Sequence, residues 1–122
     1  METPSILVVD DDEDIRTMLG VVLSAEGYRV VSASDGLDAL NVMRRDAPPA
    51  LAVVDLMMPR MDGEHLIKSM QEDSALARVP VAIMSGQPPG STPSLHVSAR
   101  LGKPVELEEL MTVVHRLADR SH

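Results

Sequence analysis

Ser5-Ile6-Leu7-Val8-Val9-Asp10-Asp11-Asp12 decides how the rest of the chain is read. Its first five residues form a continuous β-branched and aliphatic run, too short for a helix of ordinary length. Such a run fits a strand buried on both faces. It stops abruptly on three acids. From residue 12 to 26, Ile15, Met18, Leu19, Val22 and Leu23 recur at helical spacing, and Gly27 follows as a helix stop. A buried strand, an acidic turn and an amphipathic helix make the opening half of a strand–helix–strand unit.

The pattern repeats outward from there. Arg29–Ala33 reads as a second strand. Ser34 or Asp35 caps a helix carrying Leu37, Leu40, Val42 and Met43 to about Asp46, and Pro48-Pro49 closes it. Residues 50–54 read as a third buried strand, and residues 58–63 as a loop. Residues 64–72 predict a helix with Leu66, Ile67 and Met70 inward, and residues 79–84 a fourth strand. Gln87-Pro88-Pro89-Gly90-Ser91-Thr92-Pro93 does not fit regular structure. Residues 94–98 have room for one helical turn, Ala99–Gly102 form a weak fifth strand, and residues 106–119 a last helix facing in through Leu107, Leu110, Val113, Val114 and Leu117. Strands alternating with helices imply an α/β fold with a parallel sheet covered on both faces. Five units suit a flavodoxin-like doubly wound sheet in the order 2-1-3-4-5, although periodicity alone does not fix the order. No internal repeat or linker is visible, so residues 1–122 read as a single domain.

Composition agrees and narrows the function. The 122 residues are 44% hydrophobic and 25% charged, too apolar for a disordered chain. With no Trp, no Phe and one Tyr, the core falls to Val, Leu, Ile, Ala and nine Met. Cysteine is absent, which excludes disulfides, thiolate metal sites and cysteine nucleophiles. Nineteen acids against eleven bases give a net charge of −8. That surface repels phosphate backbones, so direct DNA binding is not expected. No basic leader with an apolar stretch behind it and no long apolar run is present, so the expectation is a soluble cytoplasmic protein without membrane insertion. His65, His96, His115 and His122 show no ligand spacing.

In a doubly wound sheet the site lies beyond the carboxyl ends of the strands, at the switch between strands 1 and 3. Here strand 1 runs into Asp10-Asp11-Asp12, strand 3 into Asp55 and strand 4 into Ser85-Gly86. Strand 5 is followed by Lys103-Pro104, and Lys103 is one of the chain's two lysines, with Lys68. Crowded carboxylates need a cation, and an all-oxygen set with room for water suits Mg²⁺. A carboxylate beside such an ion can attack phosphorus, and Lys103 and Ser85 offer the charge and hydroxyl that phosphoryl oxygens need. Asp12, Glu13 and Asp14 have a simpler role, because acids in the first turn favour the helix dipole.

Val8-Val9-Asp10-Asp11, the segment Val53-Val54-Asp55-Leu56-Met57-Met58-Pro59-Arg60-Met61-Asp62-Gly63, Ser85-Gly86 and Lys103-Pro104 together resemble the receiver domain of bacterial two-component response regulators. The resemblance implies that Asp55 is the phosphoacceptor. It implies Asp11 as a direct Mg²⁺ ligand (Mn²⁺ being an alternative ion), Asp10 acting largely through water, and the Met57 backbone carbonyl as a further ligand. Ser85 and Lys103 would contact the phosphoryl group, and Pro59 and Gly63 would shape the loop. It further implies a sensor histidine kinase or histidine phosphotransfer protein as donor, an unknown downstream protein as recipient of the signal, and no enzymatic turnover beyond the domain's own phosphorylation and dephosphorylation.

Several features depart from the pattern. Ser85 and Lys103 are about one helical turn closer in sequence than is usual, so the helix between strands 4 and 5 is expected to be short, displaced or missing. Arg100 stands where the family usually has an aromatic, Val105 where Phe is frequent, and Val97-Ser98-Ala99 replaces the usual Gly-Ala-Asp. Two other readings use the same residues. One is a receiver-like interaction module that is not phosphorylated. The other, more remote, is a haloacid-dehalogenase-like phosphatase built on Asp10-x-Asp12, Ser85 and Lys103.

Overall fold

The computed structural model describes residues 4–56, 62–86 and 97–118. In chain order they form β1 (Ser5–Val9), α1 (Glu13–Ala25), β2 (Arg29–Ala33), α2 (Gly36–Arg45), β3 (Leu51–Asp55), α3 (Gly63–Gln71), β4 (Val81–Ser85), β5 (Ala99–Gly102) and α4 (Leu107–Ala118). All strand pairs are parallel, and the sheet order is β2-β1-β3-β4-β5. The flavodoxin-like doubly wound fold expected from the strand–helix alternation is therefore present.

Strand alternation divides the core into two layers. Leu7, Val9, Val54 and Ile83 face one way and pack with Leu40 and Met43 of α2 and with Leu66, Ile67 and Met70 of α3. Ile6, Val8, Val53, Met84 and Leu101 face the other way, against Leu19 and Leu23 of α1 and Leu110 and Val114 of α4. Burying each such side chain contributes about 1.5–3 kcal/mol, so aliphatic residues build nearly all of this core, with Tyr28 the aromatic ring in it. The single tyrosine, Tyr28, is buried at the start of β2, and its hydroxyl lies 3.1 Å from His115 Nδ1 on α4.

Local chemistry sets the element ends. Asp12 caps α1 by accepting from the Asp14 N–H at 2.9 Å. At its far end Gly27 adopts a φ of +97°, which a side chain would disfavour. That turn lets Tyr28 N–H reach back to the Leu23 carbonyl. Asp35, not Ser34, caps α2. β3 lies one residue later than the apolar run predicts, because Asp55 itself pairs with Met84. β4 starts at Val81, not residue 79. Pro80 has no N–H for the ladder, and Val79 N–H is taken by the Leu76 carbonyl in a turn.

Four helices occur among the described residues. The connection between β4 and β5 is short, and its residues 87–96 lie outside the described set. Of the single turn predicted over 94–98, only Val97 and Ser98 are described, and neither is helical. Among the described residues no helix is long and apolar enough to cross a membrane.

Asp62 starts α3 by accepting from His65 N–H at 2.9 Å, with His65 Nδ1 a further 2.8 Å contact. The bond from His65 N–H holds the Asp62 carboxyl below its ordinary value of 3.8, against a smaller opposing effect of burial. A carboxyl lowered on folding stabilises the fold above its unfolded pKa and loses that contribution as pH falls through the folded value. The cap is therefore expected to survive at neutral pH and to fail only in acid below the ordinary carboxylate range. Asp62→Ala should cost about 1 kcal/mol at pH 7 and much less at pH 2, as checked by denaturant unfolding at both pH values. An equal cost at the two pH values would assign Asp62 a role other than a charged cap.

Candidate functional site

Four strand ends converge at the carboxyl edge of the sheet. β1 delivers Asp10 and Asp11 into the turn before α1. β3 ends on Asp55, beside β1, at the point where the winding direction of the sheet reverses. β4 ends on Ser85, which pairs with Gly102, and Lys103 follows directly. The alternation explains which side chains meet. Asp10 continues the face of Ile6 and Val8, Asp55 that of Leu51 and Val53, and Lys103 that of Leu101. All three belong to the layer under α1 and α4. Ser85 continues the face of Ile83, and its carbonyl accepts from Lys103 N–H at 3.1 Å.

The carboxylates form a compact group. One oxygen each from Asp10, Asp11 and Asp55 can be chosen so that all lie within 4.8 Å of one another. Asp10 and Asp55 are buried, at 0% and 4% exposure, while Asp11 is open to solvent. Lys103 Nζ stands between the two buried acids, 3.1 Å from Asp10 Oδ2 and 3.1 Å from Asp55 Oδ2. Burial works against the charge on Lys103, but the hydrogen bonds to Asp10 and Asp55 outweigh it. The pKa is raised above the ordinary 10.5, so Lys103 is a cation at any physiological pH.

One lysine does not neutralise three carboxylates, two of them out of water. Such a set favours a further hard cation. The donors are all oxygen, and exposed Asp11 leaves one side open to water, which fits an ion that keeps part of its hydration shell. Asp10, Asp11 and Asp55 are the residues that would hold it. Met57, whose carbonyl is a further ligand implied by the resemblance, lies outside the described residues, as do Met58, Pro59, Arg60 and Met61.

Asp10 is fixed at every polar group it has. Its N–H donates to the Ala33 carbonyl at 3.2 Å. Oδ1 accepts from Asp12 N–H at 2.9 Å and Oδ2 from Lys103. Its carbonyl accepts from Arg16 Nη1 at 2.7 Å. Arg16 is a residue of this site that the strand-end pattern leaves out. Its signal in the sequence is a cation in the first turns of a helix, where the dipole favours anions.

On the other side of Asp55, Leu56 N–H donates to the Met84 carbonyl and Gly63 N–H to the Leu56 carbonyl, both at 3.2 Å. A Cβ on Gly63 would sit 2.5 Å from the Asp55 carbonyl oxygen and 2.8 Å from Leu56 Cα. The amino end of α3 thus presses directly on the backbone of Asp55. Asp12 is exposed and caps α1 through Oδ1, whereas Asp55 is buried beside Asp10 and Lys103. A cavity of about 590 Å³ lies at the opposite, amino end of β4 and β5, between Met70 and Leu117, and is remote from the carboxylates.

The family model for the response regulator receiver domain matches residues 6–115. The response regulator MprA of Mycobacterium leprae is 37% identical over 120 residues, covering 95% of this chain and 51% of that protein. The sensor histidine kinase TmoS of Ectopseudomonas mendocina is 38% identical over 87 residues, covering 71% of this chain and 9% of its own length. The chain thus spans about half or less of these relatives. A response regulator receiver protein from Pseudomonas putida superimposes with a TM-score of 0.85 at 27% identity, over 95% of this chain and 98% of that one.

Proposed function

Because this chain belongs to the response regulator receiver domain family, we propose that it accepts a phosphoryl group on Asp55 from a phosphohistidine. The donor in this reading is a sensor histidine kinase or a histidine phosphotransfer protein, and the signal passes on by protein contact. The observation that carries it is Lys103 Nζ at 3.1 Å from both Asp10 and Asp55, inside a group of three carboxylates.

An Asp55 oxygen attacks phosphorus, a P–O bond forms, and the P–N bond breaks with its electron pair going to the donor imidazole. Mg²⁺, when bound, neutralises charge shared between the carboxylates and the phosphoryl oxygens. Asp10, Asp11 and Asp55 would hold that ion, whose charge would offset the repulsion between these carboxylates and an incoming anion. Lys103 already spans the pocket and turns its ammonium to a phosphoryl oxygen. The Ser85 hydroxyl is the donor for a second oxygen. The product carries roughly −1.5 to −2 of charge at the end of β3, in place of the single negative charge of the carboxylate, next to the edge from which β4 runs into residues 86–98. In this reading the domain transfers the group to and from itself and turns over no other substrate.

Incubation with Mg²⁺ and acetyl phosphate, followed by intact mass, is the test. One phosphoryl group should be gained, and hydroxylamine should remove it. Beryllium fluoride, which needs the pocket but no donor chemistry, should bind in the presence of Mg²⁺. Absence of both would overturn the proposal and favour an interaction module that does not use the site.

A further inference from the structure

We infer that Arg16 is a positioning residue of the acidic site, holding the β1–α1 turn so that Asp10 and Asp11 present their oxygens to a divalent cation. The inference rests on the proposed function above and extends it to a residue outside the strand-end set. Three observations meet at Arg16. Its Nη1 donates to the Asp10 carbonyl at 2.7 Å, the shortest of the bonds that fix Asp10. It is half-buried, so this bond is partly shielded from water. It also closes the first turn of α1, its N–H bonded to the Asp12 carbonyl, behind Asp12, Glu13 and Asp14. A positive charge there gains nothing from the helix dipole, so its stabilisation comes from what the guanidinium touches.

The bond controls the direction in which the chain leaves β1. The peptide that carries the Asp10 carbonyl also carries the Asp11 N–H, so clamping that carbonyl fixes the plane from which Asp11 departs. Asp11 is exposed and lacks the packing that holds Asp10. Without Arg16, the Asp11 carboxylate would sample orientations away from Asp55. Residues that orient a metal ligand in this way typically change metal affinity 10- to 100-fold when removed.

Charge and geometry predict opposite signs, which makes the inference testable. If Arg16 acted only as a nearby cation, removing it would strengthen binding of a divalent ion. If it acts by position, removing it weakens binding. Mg²⁺ titration of the whole chain, followed calorimetrically, is the experiment, with metal-free thermal unfolding as the control on folding. Arg16→Met should bind Mg²⁺ about tenfold more weakly, and Arg16→Lys, which keeps a donor and the charge, should recover most of the loss. Unchanged or tighter binding by a folded Arg16→Met variant would overturn the inference alone. So would equal weakening in Arg16→Lys and Arg16→Met. A wild-type chain whose Mg²⁺ binding is absent, or is untouched by Asp11→Ala, would overturn the site reading itself.

Discussion

Asp55→Asn is expected to abolish phosphoryl labelling completely while leaving the fold in place. Asparagine has the shape of aspartate, but its amide oxygen is not a competent nucleophile toward phosphorus and it carries no charge. The substitution also leaves the sheet intact, since β3 pairs through its backbone. Two opposed effects act on stability. The variant turns the 3.1 Å ion pair with Lys103 into an uncharged amide contact, and it removes one of two carboxylates buried side by side. Lys103 keeps Asp10 at 3.1 Å, so the net change should stay within about 1 kcal/mol, in contrast to removing the lysine, which strands two buried charges. Intact mass after acetyl phosphate treatment, beside thermal unfolding, tests both parts. Stoichiometric labelling of Asp55→Asn would place the acceptor on another residue.

Gly63→Ala is expected to carry a large cost for a single added methyl group. Its Cβ would lie 2.5 Å from the Asp55 carbonyl oxygen and 2.8 Å from Leu56 Cα. Both neighbours are backbone, in a buried strand end, and neither turns aside as a flexible side chain would. Either α3 retreats from β3 or Asp55 moves. Overpacking of this kind costs about 1–3 kcal/mol, equivalent to a fall in Tm of roughly 4–12 °C for a domain of this size. Because the displaced atoms belong to Asp55, the rate of labelling should fall as well. Gly20→Ala is the control. Its Cβ meets only Val30 Cγ1, at 3.9 Å, and alanine inside a helix stabilises by roughly 0.5–1 kcal/mol relative to glycine. Matched Tm values for Gly63→Ala and wild type would show that the close approach is relieved without cost.

The strand–helix alternation and the residues at the strand ends were legible in the sequence because each depends on local pattern. Ile6–Val9 is apolar because both faces of β1 are covered, and it stops at Asp10 because the strand ends there. What local pattern does not carry is the long-range pairing. The apolar run at 50–54 says nothing of Asp55 pairing with Met84, so β3 is read one residue early. At β4, Val79 looks like a strand residue until the lack of an N–H on Pro80 and the turn bond to Leu76 are counted. Arg16 has no mark in the periodicity at all; only its place at the helix end that favours anions gives it away. The position of Lys103 between two acids, instead of beside one, likewise appears only when β5 is laid against β4. Gly63 reads as a loop residue, whereas its missing side chain serves the contact with Asp55.

The bond between Asp10 and Lys103 joins residues 93 positions apart. On a ribosome adding about 5–20 residues per second, Asp10 exists for roughly 5–20 s before its lysine is made. During that interval Asp55 is also complete, and burying the pair would leave two carboxylates with no ammonium between them. The acidic end of the nascent sheet therefore has reason to stay wet, and β1 and β3 to dock loosely, until Lys103 emerges. Lys103 is the ammonium that lies between the two buried acids, so a chain interrupted before residue 103 lacks the cation of the finished pocket.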